Sequence, residues 1–560
     1  MRARLLYPDV DFDWMRAQRA VADRTARRTG YRSRRAPEAD PRTGLPPNAE
    51  DLERDLHLAP LLSAMARGDD WVHEVSRRIL LEGTQGDPSV IRYRQDILQD
   101  CLEHPAVVRR LYALTVEAAE RTRGHFLGVL SRFPDWVLRE AVETLERLLP
   151  LLRELREIAE QHGPQLRSEG WTRFFTALRE NLSATYLEEV QGHLHELRFP
   201  RGVLLSAQLG TANKSTGYRL HRVPGGHRAV RNWWRSLWGE ASPVYRFEVS
   251  PRDEAGAQTL QELRNRGIAS AADALGRAAD HVRDFFCMLR AELAFYVGCL
   301  NLHEALTDRD VPSCFPQPAS VAERRLSFRG LHDAVLVLTE DRPVVPNDLE
   351  ADGKSLIFIT GPNSGGKTTF LRSLGIAQLL MQAGIFVPAR SFTASLCIGL
   401  FTHFKREEDI ALERGKLDEE LARMSIIVDH IRPGAVLLCN ESFSATNERE
   451  GSEIARQVLR ALTELGVRTY FVTHFYDLVR SFRDRGLSHV LFLRAERLPD
   501  GRRTYRILPG EPLPTSHGAD VYHRIFGTSR MEDGSSPWGT TPGTVPPSPR
   551  YSDAESRGAP

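Results

Sequence analysis

Residues 359 to 369 read ITGPNSGGKTT, an unbroken match to the pattern G-x-x-x-x-G-K-[ST], placed after an apolar run and ahead of an amphipathic one. Strand, glycine-rich turn and helix in that order make a cradle for phosphate. Backbone N–H groups turn inward around the β- and γ-phosphates at the positive end of the helix that follows. The stretch therefore predicts a nucleoside triphosphate site built from Gly361, Pro362, Asn363, Ser364, Gly365, Gly366, Lys367, Thr368 and Thr369, with Lys367 against the β/γ oxygens and the Thr368 hydroxyl on magnesium. Lys367 stands out chemically, because only five of the 75 basic residues are lysines. A planar guanidinium is too broad to replace a compact ammonium inside such a loop.

Outward from the loop, short β-rich runs (SLIFIT, AVLLCN, RTYFVTH, HVLFLR) alternate with helical stretches, the pattern of a mainly parallel α/β sheet. RLPDGRRTYRIL reads as an edge hairpin turning at Pro499 to Gly501. A phosphate loop needs a second strand that delivers a metal ligand and a group acting on water. AVLLCNE ends in Asn440 and Glu441 at that place, with Asn where an Asp usually holds the metal. The candidate metal ligands are Thr368, Asn440 and Glu441, and the candidate catalytic residues are Glu441 and His474, the latter just after the third strand in YFVTHFYDL. The Asn is read either as weakening metal binding and hydrolysis or as a tolerated substitution.

With 560 residues the chain exceeds one core and predicts several structural units. Net charge is +1, so any nucleic-acid surface must come from local asymmetry. Residues 1–50 are read as a loosely ordered Arg-rich arm. Residues 51–317 are helical, with Leu138, Val142, Leu145, Leu149, Leu152 and Leu155 stepping by three and four, a kink expected at Pro150, and a central apolar helix near FFCMLRAELAFYVGCLNLHEAL. Within them a basic, strand-rich insert is expected near 197–250. Residues 318–527 carry the nucleotide-binding domain, and the Ser-, Pro- and Gly-rich 528–560 read as a disordered tail. Six cysteines without a C-x-x-C pair, no signal-peptide core and no membrane span predict reduced thiols and a soluble cytoplasmic protein.

Taken together, several phrases carry a resemblance. TGPNSGGKTT, GIFVPA (384–389), FTHFKREEDIALERGKLDEEL with Asp409 and Gly415, NESFSATNEREGSEIA, VTHFYDL and TSHGADVYHRIFG (515–527) resemble the ATPase of the MutS family, and RYRQDILQDCLEHPAVVRRLY resembles the helical core preceding it. The resemblance implies an ABC-type P-loop ATPase behind a helical core or lever domain, hence α/β plus all-α. It also implies ATP and Mg2+, and a homodimer in which each nucleotide is closed in by a segment of the opposite subunit. That segment normally offers a serine, whereas Gly415 is followed here by Lys416, Leu417 and Asp418. No F-x-E reading motif is found near the N-terminus, and no nuclease domain is expected after Gly527. A compact relative without mismatch-recognition or nuclease domains is the expectation.

DNA, duplex or branched, is the expected partner. Residues 197–239 hold eight Arg or Lys and no acid, with Trp233, Trp234 and Trp238 among them. Arg219, Arg222, Arg228, Arg231 and Arg235 are the candidate phosphate contacts. The competing reading is an insert whose tryptophans pack inward. The expected function is a MutS-like DNA-binding ATPase in mismatch repair or related DNA metabolism, switching a dimeric clamp. The alternative is an ATP-gated binding module that hydrolyses little and acts on protein or RNA.

Overall fold

Proline at the first helical position and a carboxylate cap set the punctuation of the N-terminal half, since a proline there gives up no hydrogen bond. The computed structural model describes residues 2–29, 45–83, 87–122, 133–211, 215–223, 248–250, 252–406, 415–498 and 502–513. Its first helices are α1 (Trp14–Thr29), α2 (Ala49–Asp55), α3 (Leu58–Ala66) and α4 (Asp70–Glu82). Then follow α5 (Pro88–Glu103), α6 (Pro105–Arg121), α7 (Pro134–His162), α8 (Glu169–Asn181) and α9 (Ala184–Leu197). Asp69 caps α4 by accepting from the N–H groups of Trp71 and Val72, and Asp87 caps α5. Helix α7 runs through Pro150 without interruption.

Strands β1 (Leu204–Leu209) and β2 (Ser215–His221) pair antiparallel, with a bulge between Ser206 and Gln208. They are the described part of the predicted insert. Helix α10 (Glu254–Thr307) follows, 54 residues in length. Ile268, Ala272 and Ala279 on its first half pack against Leu138, Ala141, Val142 and Leu145 of α7. Its second half, from Phe285 to Leu306, is buried on most of its surface among the other helices. By length and composition α10 passes as a membrane span, yet 89% of its apolar window is buried inside the protein. It is a core helix.

The N-terminal segment differs from expectation. Rather than forming a loose arm, the start of the segment packs on the helical core: Leu5, Leu6 and Ala17 are fully buried and Phe12 nearly so, while residues 30–44 of the predicted arm lie outside the described residues. Main-chain bonds hold it, with the Leu5 N–H donating to Glu292, Tyr296 donating to the Leu5 carbonyl (2.5 Å), and Arg94 Nε donating to the Leu6 carbonyl (2.8 Å). Few apolar residues suffice because distant polar side chains satisfy the extended backbone.

The C-terminal half contains β3 (Gln317–Ala319), β4 (Leu326–Leu331), α11 (Ala334–Thr339), β5 (Asn347–Glu350), β6 (Leu356–Thr360), α12 (Lys367–Ala383), β7 (Ser391–Ser395) and β8 (Leu400–Phe404). It continues with α13 (Lys416–His430), β9 (Val436–Asn440), α14 (Glu448–Leu465), β10 (Arg468–Val472), α15 (Tyr476–Arg483), β11 (Val490–Arg497) and β12 (Arg503–Pro509). The main sheet has the order β12-β11-β6-β10-β9-β8 and is parallel except for the β11–β12 edge pair. The antiparallel edge agrees with the predicted hairpin, whose turn at 499–501 lies outside the described residues. A second sheet, β3-β7-β4-β5, was not foreseen.

Alternation along the strands covers both faces of the main sheet, as a parallel sheet requires. Leu356 and Phe358 of β6 join Leu437 and Cys439 of β9 in a core with α13, α14 and α15. Ile357 and Ile359 face the opposite way, toward α12 and the core it shares with the helical half. Arg94 on α5 seals that junction. Its guanidinium is fully buried and donates to the Ala383 carbonyl at the C-terminus of α12 (3.2 Å), where a cation suits the helix dipole. All six cysteines are free thiols. Residues 515–527 and 528–560 lie outside the described residues.

Candidate active site

Register decides where the chemistry gathers. Val472 of β10 pairs with Ile359 of β6 on one side and Asn440 of β9 on the other, so the three strands end level. The loops leaving them meet at the carboxyl edge of the sheet, the place where ligands of open α/β sheets bind. The glycine loop leaves β6, Glu441 leaves β9, and Thr473 and His474 leave β10.

The loop has the conformation its glycines were expected to permit. Gly361 has φ +126°, and a Cβ there would stand 2.8 Å from the Ala495 Cβ and 3.1 Å from its backbone nitrogen. Gly366 has φ +91° as the residue capping α12. Lys367 is 5% exposed, and its Nζ donates to the carbonyls of Gly361 (2.9 Å) and Pro362 (3.0 Å). Burial pulls its pKa down to about 8, offset in part by Glu441 and reinforced by Arg503. Among the described residues no carboxylate bonds this ammonium directly. A buried cation held by two carbonyls, at a helix N-terminus, suits an anionic guest.

At this edge the Thr368 hydroxyl donates to Asn440 Oδ1 (3.1 Å). His474 Nε2 donates to Glu441 Oε1 at 3.1 Å, and Lys367 Nζ stands 3.5 Å from the same ring nitrogen. The hydrogen bond from His474 is the main reason the Glu441 carboxyl is held below its usual pKa, against burial. Glu441 also has a left-handed backbone, φ 55°. Non-glycine residues adopt this conformation at a cost of about 1–3 kcal/mol, and the surroundings enforce it through the Glu441 N–H bond to the Val472 carbonyl (2.9 Å).

Magnesium takes hard oxygen ligands in an octahedron completed by water and phosphate. Thr368 Oγ1 and Asn440 Oδ1 are two such oxygens side by side, with the Glu441 carboxylate on the next residue, so the set fits that ion. It lacks the charge an Asp at 440 would add.

Two models of protein families match this chain. The one described as MutS domain V matches residues 357–523, which include all three of these strand ends, and the one described as the MutS2 N-terminal domain matches residues 86–309. The chain belongs to the MutS family. Similar proteins include the DNA mismatch repair protein MutS of Thermus aquaticus, 34% identical over 233 residues covering 41% of this chain and 28% of the relative. Those of Synechococcus sp. (strain WH7803), 31% identical over 283 residues (46% and 31%), and of Chloroflexus aurantiacus (strain ATCC 29366 / DSM 635 / J-10-fl), 29% identical over 230 residues (40% and 24%), are similar too. The chain thus matches about a quarter to a third of the length of these curated MutS relatives.

The arginines expected on nucleic acid divide. Arg219 is exposed on β2, while Arg222 pairs with Glu196 at the end of α9, Nε to Oε1 at 2.7 Å. The predicted patch had no acid within it, and the neighbouring helix supplies one. Arg228, Arg231 and Arg235 and the three tryptophans lie outside the described residues, as does Asp409. Gly415 and Lys416 stand exposed at the start of α13.

Sequence reasoning missed three polar residues packed directly behind Glu441. His403 is fully buried at the end of β8, with Nδ1 2.7 Å from Ser442 Oγ and Nε2 3.0 Å from the Glu420 carbonyl. The available signal was the polar histidine inside the apolar run LFTHF, in a block read only for its resemblance.

Proposed function

We propose that this chain is a MutS-type, magnesium-dependent ATPase that couples nucleotide binding and hydrolysis to DNA binding, in mismatch repair or related DNA metabolism. The observation that carries the reading is the convergence of Lys367, Thr368–Asn440 and Glu441–His474 at three level strand ends. Lys367 and the loop amides bind the phosphates, and His474, 3.5 Å from Lys367 Nζ, would sense the γ-phosphate. Thr368 and Asn440 would hold magnesium, which when bound neutralises charge on the phosphates. Glu441, kept ionised by His474, accepts a hydrogen bond from the attacking water and orients it. A carboxylate with a lowered pKa is better suited to orienting water than to taking its proton outright. In this reading two copies form a cytoplasmic homodimer, and α7 with α10 serves as the lever that grips duplex or branched DNA.

Phosphate release tests it. Glu441→Gln should keep nucleotide affinity while cutting turnover by ~10²-fold or more; unchanged turnover would remove Glu441 from the mechanism. A second reading, an ATP-gated module with little hydrolysis acting on protein or RNA, is favoured by Asn440, since the pair Thr368–Asn440 brings no charge to the metal. A wild type nearly inactive in the same assay and revived by Asn440→Asp would favour that module. Wild-type turnover that Asn440→Asp does not raise would count against it.

A further inference from the structure

The turn that carries Glu441 is held from behind by a buried polar link, and no part of the function above uses it. Glu441 at φ 55° and Phe443 at φ 64° bracket Ser442, which is 1% exposed. The Ser442 hydroxyl lies 2.7 Å from His403 Nδ1 and 2.8 Å from the His403 carbonyl. The His403 ring tilts against Phe443, centroids 5.5 Å apart, and its Nε2 reaches the main-chain carbonyl of Glu420 on α13. Burial, the Arg423 guanidinium second to it, holds this imidazole neutral.

Donor bookkeeping fixes the arrangement. The Glu420 carbonyl can only accept, so the one ring proton of a neutral imidazole resides on Nε2 and Nδ1 is left as an acceptor. The single Ser442 hydroxyl proton is shared between two acceptors of one residue, the His403 carbonyl (2.8 Å) and Nδ1 (2.7 Å), so the O–H points back at His403 whichever of them takes it. Glu420 adds a second hold: its 7%-exposed side chain faces the N–H groups of Phe443 and Ala445, which offset the burial that raises its pKa. Ahead of this link, the Glu441 N–H is tied to Val472. A strained residue clamped on both sides has one direction for its Cα–Cβ bond.

We propose that His403 is a positioning residue for hydrolysis, acting through Ser442 to hold the turn at 441–443 so that the Glu441 carboxylate faces His474 and the phosphate cradle. The link also ties that orientation to α13 through Glu420. A shift of α13 along its axis would move Nε2's acceptor, release the turn and silence Glu441 without touching Lys367. The proposal rests on the role given above to Glu441.

The test compares Ser442→Ala, His403→Gln and Glu441→Gln in the full-length chain, measuring kcat, KM for ATP, direct nucleotide affinity and melting temperature. Ser442→Ala removes one buried hydroxyl and His403→Gln can still donate to the Glu420 carbonyl, so both are expected to fold. Each should lower kcat by roughly 10-fold or more while KM and nucleotide affinity stay within about twofold. The double variant should be little worse than either single one, as for two members of one link. Wild-type kcat in Ser442→Ala beside an inactive Glu441→Gln would overturn the positioning role and leave the function intact. Parallel losses of affinity, kcat and melting temperature would overturn it as a mere packing effect. Wild-type turnover in Glu441→Gln would overturn the functional reading, and this proposal with it.

Discussion

Gly361 shows how the site is written residue by residue. Its φ of +126° and the Ala495 backbone nitrogen 3.1 Å from a would-be Cβ leave no room for alanine. Gly361→Ala should weaken nucleotide binding by at least ~10-fold and destabilise the fold by about 1–3 kcal/mol, read by calorimetric titration and denaturant unfolding. Wild-type affinity in a folded variant would show that the loop's shape is not what binds the phosphates. Residues of this kind were legible in the sequence because phosphate binding forces a local pattern: glycines, lysine and hydroxyl within nine positions, then Glu441 and His474 each at the end of an apolar strand. His403, Ser442 and Glu420 were not. Their partnership spans 39 positions between His403 and Ser442 and depends on β8 lying beside β9. Nothing in the local alternation announces it.

Among the elements, the N-terminal segment yields a prediction with a definite sign. Glu292 on α10 is 1% exposed and accepts the Leu5 N–H; burial raises its pKa from 4.5 to about 7, against the lowering effect of the Leu5, Leu6 and Arg4 amides. A carboxyl raised in the folded state binds more protons folded than unfolded between those two values. Its contribution is full below the unfolded pKa and is lost as pH rises through about 7. Glu292→Gln keeps an accepting oxygen without the charge, so it should gain on wild type by on the order of 2 kcal/mol between pH 5 and pH 8. Chemical denaturation at several pH values reads this out. A difference independent of pH would contradict it. The same segment marks a limit of sequence reading: Arg-rich composition suggested a loose arm, whereas Leu5, Leu6 and backbone bonds to Arg94 and Tyr296 dock it. The strands of the main sheet were legible as apolar runs because both their faces are covered. Strands β3, β4, β5 and β7 were not, being three to six residues long and partly exposed, with Pro318 and Gly330 interrupting any alternation.

For the molecule as a whole, one continuous core runs from Leu5 through the helices to α12 and on to Ile507. Helix α12 begins at the glycine loop and ends against Arg94 of the helical half, so the loop and the placing of the helices share one element. Local motifs carried the nucleotide site, and only tertiary structure discloses this connection. If the helical half binds DNA as proposed, that binding is the point at which nucleotide state should be felt. The most direct measurement is retention of duplex, branched and mismatched DNA by the Glu441→Gln variant at several salt concentrations, with ATP and without nucleotide. The account predicts retention that differs several-fold between the two nucleotide states and weakens with salt, with a log–log slope of about −3.6 if four arginines meet phosphates. Failure to retain any of the three DNAs in a salt-sensitive way, in either nucleotide state, would contradict it.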